Sequence, residues 1–235
     1  SAISKVSKTS GTTVDLTGYT PTRDGYTFDG WYSNSALTIK VTSIKLTSNT
    51  TIYAKWTAKS DMSFTDVADK AYYRDAVEWA VENGITKGTT ATTFSPNATC
   101  TRAQAVTFLW RAAGSPEPET RAMPFTDIPV GSYYYDAVLW AVENGITKGT
   151  SDTTFSPNMT CTRAQIVAFL WRSEKSPAAG TANPFADVKS TAYYADAVLW
   201  AVKENITKGT TNTTFSPDAD CTRAQIVTFL WRCKK

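Results

Sequence analysis

The stretch Cys100-Thr101-Arg102-Ala103-Gln104, closed by Phe108-Leu109-Trp110-Arg111, returns at Cys161 to Arg172 and again at Cys221 to Arg232. Around it, Trp79, Trp140 and Trp200 stand 61 and then 60 residues apart, and Arg102, Arg163 and Arg223 keep that spacing. Each copy runs in one order: Phe-x-Asp, a Tyr-Tyr pair, Asp-Ala-Val-x-Trp-Ala-Val, Ile-Thr-Lys-Gly-Thr, Thr-Thr-Phe-Ser-Pro, then Cys-Thr-Arg-Ala-Gln. A fixed period of this length marks an array of structural units, an architecture that builds extended binding surfaces. Residues 1–58 do not share the pattern.

Two helices per copy follow from local chemistry. Tyr73, Ala76, Val77, Ala80 and Val81 carry the i, i+3, i+4, i+7, i+8 spacing of an amphipathic helix over 73–83. Gly84 and Gly145, and Asn205 in the third copy, fall where a helix ends through a left-handed residue. Thr-Arg-Ala-Gln then matches a capping box, with Thr at N-cap and Gln at N3, so a second helix starts there. Its apolar set in the third copy is Ile226, Val227, Phe229 and Leu230. Linkers fall at 114–118, 176–183 and around 59–61, where Pro, Gly and Ser collect or the pattern breaks.

Composition excludes several function classes. With 235 residues, 42% of them hydrophobic, the chain buries a core and holds more than one module. Residues 1–58 carry six Lys and Arg against three Asp, whereas residues 59–235 carry 18 of each sign, without the basic footprint of a nucleic-acid binder. No apolar run is long enough for membrane insertion. The chain begins at Ser1 without a leader, which is read as a fragment or processed form whose export signal lies elsewhere. Histidine is absent, which removes the commonest acid-base group and every His-ligated metal site. No catalytic residue, metal or cofactor is therefore expected. Cys100, Cys161 and Cys221 occupy one repeat position; equivalent positions are expected to lie apart, beyond the roughly 7 Å that a disulfide spans, leaving free buried thiols. At N′ each is placed to staple onto N4, which is Ala105, Ile166 or Ile226.

Taken together, the Phe-x-Asp entry, the Gly-Ile or Asn-Ile helix exit, the Phe-Ser-Pro turn and the Thr-Arg-Ala-Gln block resemble the S-layer homology family over residues 62–233. Members of that family usually carry three tandem modules that tether proteins to the bacterial cell wall. The resemblance implies a noncatalytic anchor, extracellular and associated with the cell wall or S-layer. It also implies a monomeric pseudo-trimer whose inter-module grooves hold a pyruvylated secondary cell-wall polysaccharide. Two departures stand out: Gln104, Gln165 and Gln225 replace the family's usual Glu, easing the approach of an anion, and Ala91-Thr92, Asp152-Thr153 and Asn212-Thr213 replace its usual Asp-Gly. The expected fold is mainly α with a small β-rich N-terminal module, its three helix-loop-helix units forming a pseudo-threefold bundle. The expected domains are 1–58, 62–116, 123–177 and 184–233.

Residues 19–57 separately resemble the Listeria-Bacteroides repeat, a β-grasp-like module of surface proteins, through Pro21, Gly25 to Phe28, Gly30-Trp31-Tyr32 and Tyr53 to Trp56. Strand-like alternation over 27–32 and 51–56 agrees with it. The family's usual opening strand with its Gly-Gly turn is not recognisable from the sequence of residues 1–18.

The residues themselves suggest where a ligand sits. Arg102, Arg163 and Arg223 stand at N1 of a capped helix, where bidentate pairing, free N–H groups and the helix dipole all favour a carboxylate such as that of a ketal-linked pyruvate. The competing reading pairs each Arg with the carboxylate of Phe-x-Asp. Gln104, Gln165 and Gln225 flank the arginines, and Asp66, Asp127 and Asp187 either accept sugar hydroxyls or act as turn residues. Gly88-Thr89, Gly149-Thr150 and Gly209-Thr210 offer close backbone approach beside a hydroxyl or a tight turn. Trp79, Trp140, Trp200 and the leading tyrosines Tyr72, Tyr133 and Tyr193 are candidates to stack on sugar faces, though one aromatic per unit must also fill the core. The alternative function is a structural or adhesive surface module acting through protein-protein contacts.

Overall fold

A computed structural model describes residues 5–23, 25–58 and 64–235. The chain forms two compact units, Ser1–Met62 and Ser63–Lys235. The linker expected around 59–61 lies outside the described residues.

In the first unit, alternating aromatic and polar residues build strands. These are β1 (Thr13–Asp15), β2 (Tyr26–Tyr32), β3 (Lys40–Val41), β4 (Ser43–Lys45) and β5 (Tyr53–Ala58). A two-stranded sheet pairs β1 with β4, and a three-stranded sheet runs β3-β2-β5, all antiparallel. A bulge between Phe28 and Gly30 shifts the β2–β5 register. Phe28 packs edge-on to Trp31 at 5.3 Å and lies 5.4 Å from Trp56, and the Trp31 indole donates to the Tyr19 carbonyl at 2.8 Å.

The second unit carries α1 (Arg74–Glu82), α2 (Arg102–Ala112), α3 (Tyr135–Glu143), α4 (Arg163–Ser173), α5 (Ala195–Lys203) and α6 (Arg223–Lys234). All three capping boxes form, with Thr101, Thr162 and Thr222 accepting from the Gln backbone N–H and the Gln side chain accepting from the Thr N–H. Gly84, Gly145 and Asn205 adopt φ of 67°, 66° and 57° just past the first helix of each copy, as their chemistry predicts.

The expectation of a mainly α chain is corrected: helix makes up 27% of the described residues and strand 12%. The physical reason is the Thr-rich stretch between the two helices of each copy. Its hydroxyls bond to nearby backbone and to each other, as Thr89 does with the Thr93 carbonyl and the Ser95 hydroxyl. Such local bonds satisfy polar groups without helix and hold long ordered loops. The copies are also not self-contained helical hairpins: α2 packs on α3, α4 on α5, and α6 closes back onto α1, so each second helix serves the next copy.

That cycle is tied at its axis by the cysteines. Cys100 N–H donates to the Cys221 carbonyl at 3.0 Å, Cys161 N–H to Cys100 at 2.8 Å, and Cys221 N–H to Cys161 at 2.9 Å. The expectation that equivalent cysteines lie apart is therefore overturned, because cyclic symmetry brings one repeat position to the axis three times. The thiols are nonetheless free and buried. Burial pushes the Cys100 and Cys221 thiols up to about 12, and Cys161 well above its ordinary value.

Candidate functional site

Each arginine of the repeated block reaches out of its own copy. Arg102 Nε donates to the Phe155 carbonyl at 2.9 Å, Arg163 to Phe215 at 2.9 Å and Arg223 to Phe94 at 2.8 Å. The guanidinium carbons lie 4.7, 4.8 and 4.9 Å from the centroids of those same Phe rings, with Phe169, Phe229 and Phe108 on a further side. All three side chains are buried, at 2%, 4% and 5% exposure. Desolvation lowers each guanidinium's pKa, and nearby thiol, tyrosine and carboxylate groups partly restore it.

In every case Nη2 is buried without a hydrogen-bond partner. One orphaned donor is an accident; the same atom orphaned at three equivalent positions is a property of the repeat.

The competing reading, an Arg–Asp ion pair, does not form: none of the four ion pairs among the described residues includes these arginines. Asp127 instead accepts from Phe155 N–H at 2.9 Å and Ser156 N–H at 2.7 Å. Asp66 does the same for Phe94 and Ser95, and Asp187 for Phe215 and Ser216. The serines sit at φ of 57° to 58°, a left-handed conformation that two charge-assisted bonds hold in place. Each Asp thereby orients the peptide whose carbonyl receives Arg Nε from the preceding copy in the cycle. Burial raises the Asp187 carboxyl pKa, but the two N–H bonds and Arg163 outweigh it and set it below the ordinary value.

The helix starts differ from what the capped N1 position leads one to expect. The N-terminal N–H groups of α2, α4 and α6 are not free. Arg102 N–H donates to Met159, Arg163 N–H to Ala219 and Arg223 N–H to Ala98, while the following Ala N–H groups donate to Pro157, Pro217 and Pro96. Gln104, Gln165 and Gln225 spend a backbone N–H and Oε1 on the capping boxes. The guanidinium edge and the Gln side-chain amide nitrogens remain as donor chemistry at the helix start.

The glycines serve packing. A Cβ on Gly88 would lie 2.5 Å from the Phe64 ring and from the Thr93 carbonyl oxygen, and Gly149 and Gly209 are as tightly held by Phe125 and Phe185. Thr89, Thr150 and Thr210 each bond to a serine hydroxyl at 2.7 Å within their own loop. Trp140 and Trp200 are buried, at 8% and 5% exposure, and Trp79 is half-buried. The exposed aromatics of the three copies are Tyr72, Tyr133 and Tyr193, at 62%, 59% and 59%.

Those tyrosines complete the centres. Tyr193 lies within electrostatic reach of Arg102 and Arg172, Tyr72 of Arg163 and Arg232, and Tyr133 of Arg223 and Arg111. Burial pushes each phenol up, and the two guanidiniums counter it. Arg111, Arg172 and Arg232 were not singled out from sequence. They are fixed by donating from Nη1 to the carbonyls of Ile85, Ile146 and Ile206. Their signal was the Trp-Arg pair repeated at Trp110, Trp171 and Trp231, which a last-turn cation disguises. Each centre thus draws one Arg, a second Arg and a Tyr from three different copies. Among the described residues no group of three potential ligands could hold a metal ion, and no helix is long and apolar enough to cross a membrane.

Comparisons with known proteins agree with this architecture. A family model described as the S-layer homology domain matches residues 63–106, 124–167 and 184–227. A second, described as the Listeria-Bacteroides repeat domain, matches residues 1–55. The chain is 32% identical over 157 residues to the "Surface-layer 125 kDa protein" of Lysinibacillus sphaericus, covering 65% of this chain and 13% of that protein. It is 29% identical to the "Amylopullulanase" of Thermoanaerobacterium thermosulfurigenes, covering 79% of this chain and 10% of that protein. To the "S-layer protein" of Bacillus thuringiensis subsp. finitimus it is 26% identical, covering 76% of this chain and 22% of that protein. The chain spans about a tenth to a fifth of the length of these relatives.

Proposed function

Because the chain belongs to the S-layer homology family, we propose that its interfacial arginine centres hold the carboxylate of a pyruvylated secondary cell-wall polysaccharide. In coarser terms it is a noncatalytic anchoring module of surface proteins, extracellular and associated with the cell wall. The observation that carries the finer reading is the orphaned Nη2 of Arg102, Arg163 and Arg223. Leaving such a donor buried and unpaired costs about 1–3 kcal/mol. A carboxylate offers the charge-assisted bond that the protein withholds.

Tyr72, Tyr133 and Tyr193 present the exposed ring faces on which a sugar stacks beside that carboxylate. Gln104, Gln165 and Gln225 keep the approach free of negative charge, and their amide nitrogens, unlike Oε1, are not used by the capping boxes. Asp66, Asp127 and Asp187 act as positioning residues. Gly88, Thr89 and their counterparts shape the loop, and Trp79, Trp140 and Trp200 support it from the packed side. The chain closes its own threefold cycle through α6 and α1, which supports a monomer.

The test is affinity for purified wall polysaccharide at about 150 mM salt, before and after acid removal of its pyruvyl groups. Loss of binding with the pyruvyl group is expected, as is a drop of about tenfold or more for Arg102→Ala. Equal binding to both preparations would sink the reading. A second reading, adhesion to a protein partner, rests on the N-terminal unit. There a cavity of about 750 Å³ is lined by half-buried Val14, Trp31, Ile44, Leu46 and Ile52. Capture of a partner by residues 1–58 without wall polymer would favour it.

A further inference from the structure

We propose that the three arginine centres are unequal, and that the Arg163 centre is the weakest carboxylate seat because Asp218 and Asp220 flank the first turn of α4. The inference rests on the reading that these centres take the glycan's carboxylate. It adds which of them do so most strongly.

The loop that caps each second helix is Asn97-Ala98-Thr99 in the first copy and Asn158-Met159-Thr160 in the second, but Asp218-Ala219-Asp220 in the third. Cyclic closure sends each loop to a different arginine. The third-copy loop meets α4: Ala219 and Pro217, the neighbours of Asp218, accept from Arg163 N–H and Ala164 N–H, both at 2.9 Å. Asp220 pairs with Thr162, the N-cap residue of α4, through an isolated antiparallel bridge. At the Arg102 and Arg223 centres the corresponding residues are uncharged.

Asp218 also shares a cavity of about 450 Å³ with Asp187, Tyr194 and Ser216. Besides Asp187, the counterpart of Asp127 and Asp66, the loop seated on the start of α4 therefore carries two extra acids, Asp218 and Asp220, where the loops seated on α2 and α6 carry none. Lys189 lines the same cavity and returns one positive charge. The acids sit at the positive end of the helix dipole, so they favour the fold while they repel an incoming anion. Both are exposed. Water screens them, and the effect is a weakening of about fivefold rather than exclusion.

The experiment is a titration of the whole chain with pyruvylated wall-polysaccharide oligosaccharide. It follows the Nε–Hε resonances of Arg102, Arg163 and Arg223 by NMR, assigned from the three Arg→Lys variants. The Arg163 signal should reach its midpoint at about five times the ligand concentration of the other two at low salt, with the gap narrowing at 1 M salt. Asp218→Asn with Asp220→Thr copies the first repeat into the third, and should bring the three midpoints together; a denaturant curve checks that the double variant is folded. An Arg163 midpoint at or below the others, or one that the double variant leaves unmoved, overturns the ranking alone. Three signals that ignore the saccharide overturn the ranking together with the function on which it rests.

Discussion

Cys100 and Arg102 stand two residues apart, each is buried, and each is repeated three times around one axis, yet the two sites treat polar groups in opposite ways. At the cysteine ring the three N–H groups find three carbonyls within 3.0 Å. At the arginine centres, the guanidinium is held by one bond to a Phe carbonyl and by ring faces, and Nη2 is left without a partner. The same fold that closes every backbone bond at its axis leaves a charged donor open three times at its interfaces. The first region is a fastener of the fold; the second, left unsatisfied in a regular way, is the one that the proposed function assigns to a ligand.

The contrast is broken most strongly by Gly149→Ala. At φ 84°, with a Cβ 2.4 Å from the Thr154 carbonyl oxygen and 2.5 Å from the Phe125 ring, the change should cost about 3 kcal/mol of stability in urea unfolding. Neutral behaviour would mean that the loop beside the centre is looser than described. Next in size, Asp127→Asn removes the charge from the acceptor of Phe155 and Ser156 N–H. A loss of about 2 kcal/mol is expected, with weaker glycan binding, because the Phe155 carbonyl also holds Arg102.

The ring side of the comparison is sharpened by alkali. The thiols of Cys100 and Cys221 are about 12 in the folded chain against 9.0 in the unfolded one. Between those values the unfolded chain releases protons that the folded chain keeps, so stability falls as pH rises above 9. The slope is about 1.4 kcal/mol per pH unit for each thiol. Denaturant curves at pH 8 and pH 10.5 should differ accordingly, and a Cys100→Ala, Cys221→Ala variant should shrink the difference without abolishing it, since the Cys161 and Cys233 thiols are pushed up as well. An unchanged slope would place the ring cysteines nearer to water. The smallest effect belongs to the caps: Thr162→Ala should cost about 1 kcal/mol in the same assay, since Thr162 accepts from Gln165 N–H.

What could be read in the sequence was local. The capping boxes, the left-handed exits at Gly84, Gly145 and Asn205, and the strand-like segments 27–32 and 51–56, which the structure forms as Tyr26–Tyr32 and Tyr53–Ala58, all follow from neighbours within a few residues. The failures are long-range. Nothing in the spacing of Arg102 says that its Nε crosses to Phe155, 53 residues away, or that Arg223 closes the cycle on Phe94, 129 residues away. The cysteines were expected apart because a repeat suggests a row, whereas this one is a ring. The helical content was overestimated because threonine loops ordered by their own hydroxyls leave no periodic trace. The arginines themselves were legible, but for a reason the structure replaces: the helix N–H groups are occupied, and the guanidinium edge and the Gln amide nitrogens are what remain.

The most direct test of that central claim is a crystal structure of the chain with a pyruvylated saccharide bound. The account predicts a carboxylate oxygen about 2.8 Å from Nη2 of Arg102 and Arg223, with the sugar against Tyr193 and Tyr133. A saccharide seated elsewhere, with Nη2 still unpaired at every copy, would contradict it.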